Sequence, residues 1–125
     1  MKLKLFHLLS GILSLLLLFS GFNKLFQFVP VPPNLPVELV KDNVALEEIA
    51  WLMPLVAIVE ITSAVLILFP RLRALGALEI FPIMVGVLLT HLTVAPEGLI
   101  MVLALWAILL WIIWENRERY MGLIK

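Results

Sequence analysis

Four apolar runs separated by short polar breaks organise the chain. The first runs from Leu5 to Phe22 without a charge and is expected to continue as helix to about residue 28. The second covers about 46–69, the third 72–94 and the fourth 98–115. Each approaches the length of about 20 residues that a helix needs to cross a bilayer. Between the first two lies the most polar stretch, an outer loop over 29–45 containing Pro30, Pro32, Pro33 and Pro36. Four prolines so close together forbid regular helix there. The following VELVKDN segment is expected to form a short interfacial helix, with Leu39 and Val40 dipping into lipid. Asn43 is then placed to cap the next helix, with Glu47 and Glu48 complementing its dipole. Pro70 ends the second run, and Pro96 and Gly98 mark the last turn. Pro82 lies deep in the third run and predicts a kink.

Composition turns this pattern into a membrane reading. Of 125 residues, 63% are hydrophobic and 14% charged, with a mean hydropathy of +1.13. Soluble domains are roughly half apolar and about a quarter charged. The chain therefore reads as all-α, a single domain over 1–125 forming an integral membrane four-helix bundle. The start, MKLKLFHLLSGILSLLLLFSG, imitates a signal peptide, but its apolar run is long and three more follow, so it is read as an uncleaved first span. If the N-terminus is inside, Lys2, Lys4, Arg71, Arg73, Arg117, Arg119 and Lys125 share one side, against Lys24 and Lys41 on the other. That asymmetry predicts both termini in the cytoplasm. The formal net charge of +0 gives no reason to expect nucleic acid. With no cysteine, dithiol chemistry and thiolate metal sites are excluded.

Against this background the polar residues inside the runs stand out. Glu60 sits in the middle of PLVAIVEITSAVLILF, where a carboxyl group needs a partner, a proton or a water-filled cavity. Ser10, Ser14, Leu17, Gly21 and Lys24 share one helical face, as do Ala57, Glu60 and Ala64 with Ser63 beside them. Glu79, Pro82, Gly86, Thr90 and Thr93 align in the third run. Small and polar residues belong at helix contacts, so all three faces are expected to meet inside the bundle. In the fourth run Ala104 and Ala107 are the residues that would permit close packing.

A lysine can lean several ångströms toward a partner, which brings Lys24 within reach of Glu60. Two readings of that pair stand. One is a ligand pocket toward the outer leaflet, with Asn23, Gln27, Ser63, Thr90 and His91 around it. The other is a structural ion pair. On the cytoplasmic side Glu79 is expected to pair with Arg71 or Arg73. His7 is read as an interface residue without chemistry. Glu60, Glu79 and His91 are spread over the membrane depth and lack ligand spacing, so no metal site is expected. Trp106, Trp111 and Trp114 are read as lipid-facing belt residues in preference to the walls of a quinone site.

The motifs FSGFNKLF and EITSAVLILFPRLRALGA, followed by a histidine closing the third run, resemble the DoxX family. The resemblance covers nearly the whole chain. It rests on Gly21, Lys24, Glu60, Arg73 and His91. The second motif departs from the family's usual glycines, with Thr62, Ser63 and Pro70 in their place. The resemblance implies a multi-pass protein of the bacterial inner membrane. It further implies a quinone or lipid-like ligand, or a role as membrane subunit of an oxidative-stress or sulfur-oxidation complex with a soluble redox enzyme. A homo-oligomer is a second partner class. A small proton-coupled transporter and a purely structural anchor are the rival readings, and whether the chain is an enzyme is left open.

Overall fold

The structure is a computed structural model that describes residues 2–30 and 32–124. Lys125, counted above for orientation, and Val31 in the proline-rich link lie outside the described residues. Helix α1 spans Lys2–Phe26, α2 Val37–Glu48, α3 Leu52–Leu68, α4 Arg73–Thr93, α5 Leu99–Glu115 and α6 Arg117–Met121. A short 3-10 turn, Pro96–Gly98, joins α4 to α5. No strand occurs among the described residues.

Helix α1 packs against α3 and α5, and α4 packs against α3 and α5, so α1 and α4 sit on a diagonal of a four-helix bundle. Short turns make sequential neighbours antiparallel. The core is a continuous cluster that includes Leu13, Leu17, Ala64, Ile67, Ala77, Ile80, Met84, Val102, Leu109 and Ile112. The outer surface is apolar, with exposed residues such as Leu15, Phe19, Leu78, Leu103 and Leu110. That is the surface lipid requires. α1, α4 and the stretch Pro96–Glu115 are each long and apolar enough to cross a membrane, and a fourth crossing follows if the bent α2–α3 pair counts as one span.

The second span is not the continuous helix expected over 46–69. α2 ends at Glu48, α3 begins at Leu52, and the two meet at 94°. Pro54 supplies the reason. In an unbroken helix its ring would strike the carbonyl of Ala50, a clash that is removed when a new helix starts at Leu52. The break places Asn43 inside α2, where it caps nothing. The short helix expected at VELVKDN within the 29–45 loop is present, beginning at Val37, but it runs on to Glu48. Pro82, by contrast, lies within a helix that stays continuous from Arg73 to Thr93.

At the other edge of that loop, α1 stops at Phe26 instead of running on to 28. Gln27 takes a left-handed φ of 52°, and its N–H donates to the Asn23 carbonyl at 2.7 Å. This is the left-handed helix cap usually made by glycine. Asn23 then uses its side-chain oxygen to accept the Val29 N–H at 2.9 Å.

Two glycines set the helix spacing. A Cβ on Gly21 would lie 2.8 Å from the Ala57 carbonyl oxygen and 2.6 Å from Ile61. One on Gly76 would lie 2.8 Å from the Ser63 carbonyl oxygen. α3 therefore approaches α1 and α4 closely even though its own motif carries Thr62 and Ser63 where the family has glycine. Ser14 reinforces the first contact by donating to the Ala64 carbonyl at 2.5 Å.

Candidate functional site

The faces expected on α1 and α3 do point inward. Ser10, Ser14, Leu17 and Gly21 are buried on α1, and Ala57, Glu60, Ser63 and Ala64 on α3. Antiparallel packing then carries Lys24 to Glu60. Lys24 Nζ lies 2.7 Å from Glu60 Oε1, with the carboxylate side chain 5% and the lysine 27% exposed. The same ammonium donates to Ser20 Oγ at 2.7 Å, one turn back along α1. A helical side chain leans toward its own N-terminus, which is why Lys24 reaches down to Ser20 and Glu60.

The contact with Glu60 is close in distance but is not aligned as a hydrogen bond, and Oε1 takes no other donor. The distance makes it a charge contact that leaves acceptor capacity on the acid. Ser63 Oγ, one turn along α3, and Ser10 Oγ are also buried without a partner. Such groups are costly unless something later satisfies them.

Above the pair opens a cavity of about 660 Å³. Its walls are the end of α1 (Asn23, Lys24, Gln27), the link at Val29 and Pro30, the last turns of α2 and the elbow into α3 (Asn43, Leu46, Glu47, Ile49, Ala50, Met53, Pro54). Lys24 is its floor, and Glu60 lies beneath the lysine. α2 forms the facing wall and buries none of its residues.

The structure separates the other expected members from this cluster. Thr90, His91 and Ser63 do not line the cavity. Thr90 donates to the Gly86 carbonyl of its own helix at 2.9 Å. His91 Nδ1 faces the Val87 carbonyl at 2.9 Å, and its ring sits over Gly98, where a Cβ would come within 2.7 Å of Nε2. The reason is the diagonal placement of α4, which turns His91 toward the start of α5 instead of α1.

The polar face of α4 also points the other way from that expected. Pro82, Gly86 and Thr93 are exposed and Glu79 is half-buried, while Arg73, Ala77, Ile80 and Met84 fill the interior. Glu79 pairs with neither Arg71 nor Arg73. It accepts from the Thr62 hydroxyl on the outer seam of α3 and α4. Glu79 lies six positions after Arg73, which puts the two about 120° apart around the helix.

Arg73 instead builds a second polar cluster that the sequence did not reveal. It is 3% exposed, its Nε donates to the Ile67 carbonyl at 2.7 Å, and a second nitrogen reaches the Leu68 carbonyl at 3.4 Å. These are free carbonyls at the end of α3, where the helix dipole favours a cation. A third nitrogen meets His7 Nδ1 at 3.0 Å. A guanidinium only donates, so that histidine nitrogen accepts. His7, read from sequence as featureless, thus completes the arginine's shell. Phe6 lies 5.3 Å below the guanidinium.

Arg71 offers its carbonyl to Arg119 at 2.7 Å, and Tyr120 donates to the Ala74 carbonyl at 2.7 Å, fastening α6 across the α3–α4 turn. Lys2 and Glu115 lie 3.5 Å apart at the same end. Two expectations for α5 also fail. Trp106 is a core residue whose Nε1 donates to the Met84 carbonyl at 3.1 Å, because the oxygen of a facing helix satisfies its indole. Ala104 and Ala107 face outward. No group of three acidic or histidine side chains among the described residues could hold a metal ion.

A family model described as the DoxX-like family matches residues 8–113, which takes in the Lys24–Glu60 pair, Arg73 and His91 but not His7 or Phe6. No curated protein and no solved structure matches the chain.

Proposed function

The chain is a membrane protein belonging to the DoxX-like family, and from that premise we propose that it binds a quinone or lipid-like small molecule in the cavity above Lys24 and Glu60. In this reading four spans cross a bacterial inner membrane, with both termini in the cytoplasm and the cavity at the outer leaflet. The observation that carries the reading is the ion pair itself. A buried carboxylate with spare acceptor capacity lies under a lysine that still faces an open cavity. Intramembrane charge that serves only packing has no need of such an opening. Glu60 acts here as a positioning residue that holds the ammonium, and Lys24 meets the ligand. The bundle serves a soluble redox enzyme as its membrane subunit.

Binding of decylubiquinone to the purified protein, followed by tryptophan quenching, tests the proposal. Lys24→Met should weaken binding at least tenfold, the loss of one charge-assisted hydrogen bond, and Glu60→Gln should weaken it by releasing the ammonium that the carboxylate holds in place. If both variants keep full affinity and lose only thermal stability, the pair is structural and the reading fails. Orientation is tested separately, because a chain without cysteine suits single-cysteine labelling. Asp42→Cys should react from outside intact cells, and Leu123→Cys only after lysis.

A further inference from the structure

The end of α1 spends a rare conformation on a residue that does not need it. Position 27 has a φ of 52°, where glycine is at ease and an L side chain is disfavoured. The cap requires only the backbone N–H that reaches the Asn23 carbonyl, and glycine would supply it equally well. Glutamine occupies the position instead, and it lines the cavity three residues beyond Lys24. Strain that the fold could avoid marks a side chain kept for another purpose.

The charges on the cavity walls say what kind of ligand fits. The Lys24 ammonium has three N–H groups. Ser20 takes one, Glu60 faces the charge, and donor capacity remains toward the cavity. Because Glu60 already balances that charge, the floor is neutral as a unit. Glu47 on the facing wall adds a negative group, which repels an anionic head. A cationic head would meet the ammonium first, because Lys24 lines the cavity and Glu60 does not. The Gln27 amide and the remaining Lys24 donor suit acceptor oxygens, and Val29, Leu46, Ile49 and Met53 suit an apolar body.

We infer that Gln27 is a specificity-determining residue. With Lys24, it selects an uncharged, oxygen-bearing headgroup on an apolar body. This rests on the ligand-binding reading above and narrows it. The test compares three probes of matched chain length on the wild-type protein: decylubiquinone, the anion decyl phosphate and the cation decyltrimethylammonium. The neutral probe should bind at least tenfold tighter than either ion.

Gln27→Gly should raise the melting temperature by relieving φ and weaken the neutral probe roughly tenfold, one hydrogen bond's worth. Gln27→Asn keeps the amide in a residue that tolerates left-handed φ, and should hold affinity within about threefold, a fraction of one hydrogen bond. If an ion binds as tightly as the neutral probe, or if Gln27→Gly binds it like wild type, this inference is overturned while the ligand-binding reading stands. If no probe binds wild type, both fall.

Discussion

The two ends of the bundle each bury a charge, and they handle it in opposite ways. Arg73 is enclosed by α3 carbonyls and His7, and among the described residues it makes no salt bridge. Glu60 has a full opposite charge at 2.7 Å, yet Oε1 lacks an aligned donor, and its lysine looks into open space. The arginine is satisfied by dipoles and closes a helix end. The acid is neutralised but unsaturated. A buried charge whose valences are filled is a fastening, whereas one with capacity left beside a cavity is a candidate site.

This contrast can be broken from either side. The largest effect is expected at the arginine. Arg73→Met strands the buried Ile67 carbonyl and removes the partner of the Leu68 carbonyl and His7, and should cost about 3 kcal/mol, since bonds to charged groups are worth about 1.5–3 kcal/mol each. Unfolding by SDS titration should show the loss, with ligand affinity unchanged in the fraction that stays folded. Gly21→Val comes next. It pushes α1 from α3 without altering a charge and should cost about 2 kcal/mol by overpacking. It should also weaken ligand binding, because the Lys24–Glu60 distance depends on that approach. If its affinity matches wild type, the pair does not need the close contact.

Glu60→Gln should cost only about 1 kcal/mol in the same titration, less than a sealed pair would lose, because water reaches the partly exposed lysine. A stability loss matching that of Arg73→Met would erase the distinction between the two ends. The smallest effect belongs to Tyr120→Phe, about 0.5–1 kcal/mol for one neutral hydrogen bond. Burial raises the Tyr120 pKa above 10.0, with Arg119 pulling weakly the other way. The folded state therefore holds the phenolic proton more tightly than the unfolded one. This contribution is complete below pH 10 and is lost as pH rises through the raised value. Phenylalanine should remove that part of the alkaline melting curve.

The membrane bundle, the inward faces of α1 and α3 and the reach of Lys24 were legible in the sequence. Lipid offers serine, glycine and glutamate nothing, so runs of them at helical spacing mark a contact. The same rule failed on α4, for a physical reason. Thr90 and Thr93 satisfy their hydroxyls on the Gly86 and Leu89 carbonyls of their own helix, so they can face outward at little cost, and Ile80 and Met84 take the interior. The rotation of α4 decided the positions of His91 and Glu79, and periodicity alone does not fix it. Arg73 was hidden because arginine beside a helix end ordinarily snorkels to water, and only the free carbonyls at Ile67 and Leu68 draw it inward. The split of the second span was present in the sequence as Pro54, but the apolar run across it masked the break.

The elbow at residues 49–51 has a mechanical consequence. α2 contributes nothing to the core, while the floor of the cavity is locked by the α1–α3 contact at Gly21. The width of the cavity is therefore governed mainly by one angle, now 94°, and hardly at all by core packing. A chain with one residue more or fewer in that elbow would carry the same lysine, the same acid and the same fastening at the far end, and would hold a differently sized guest.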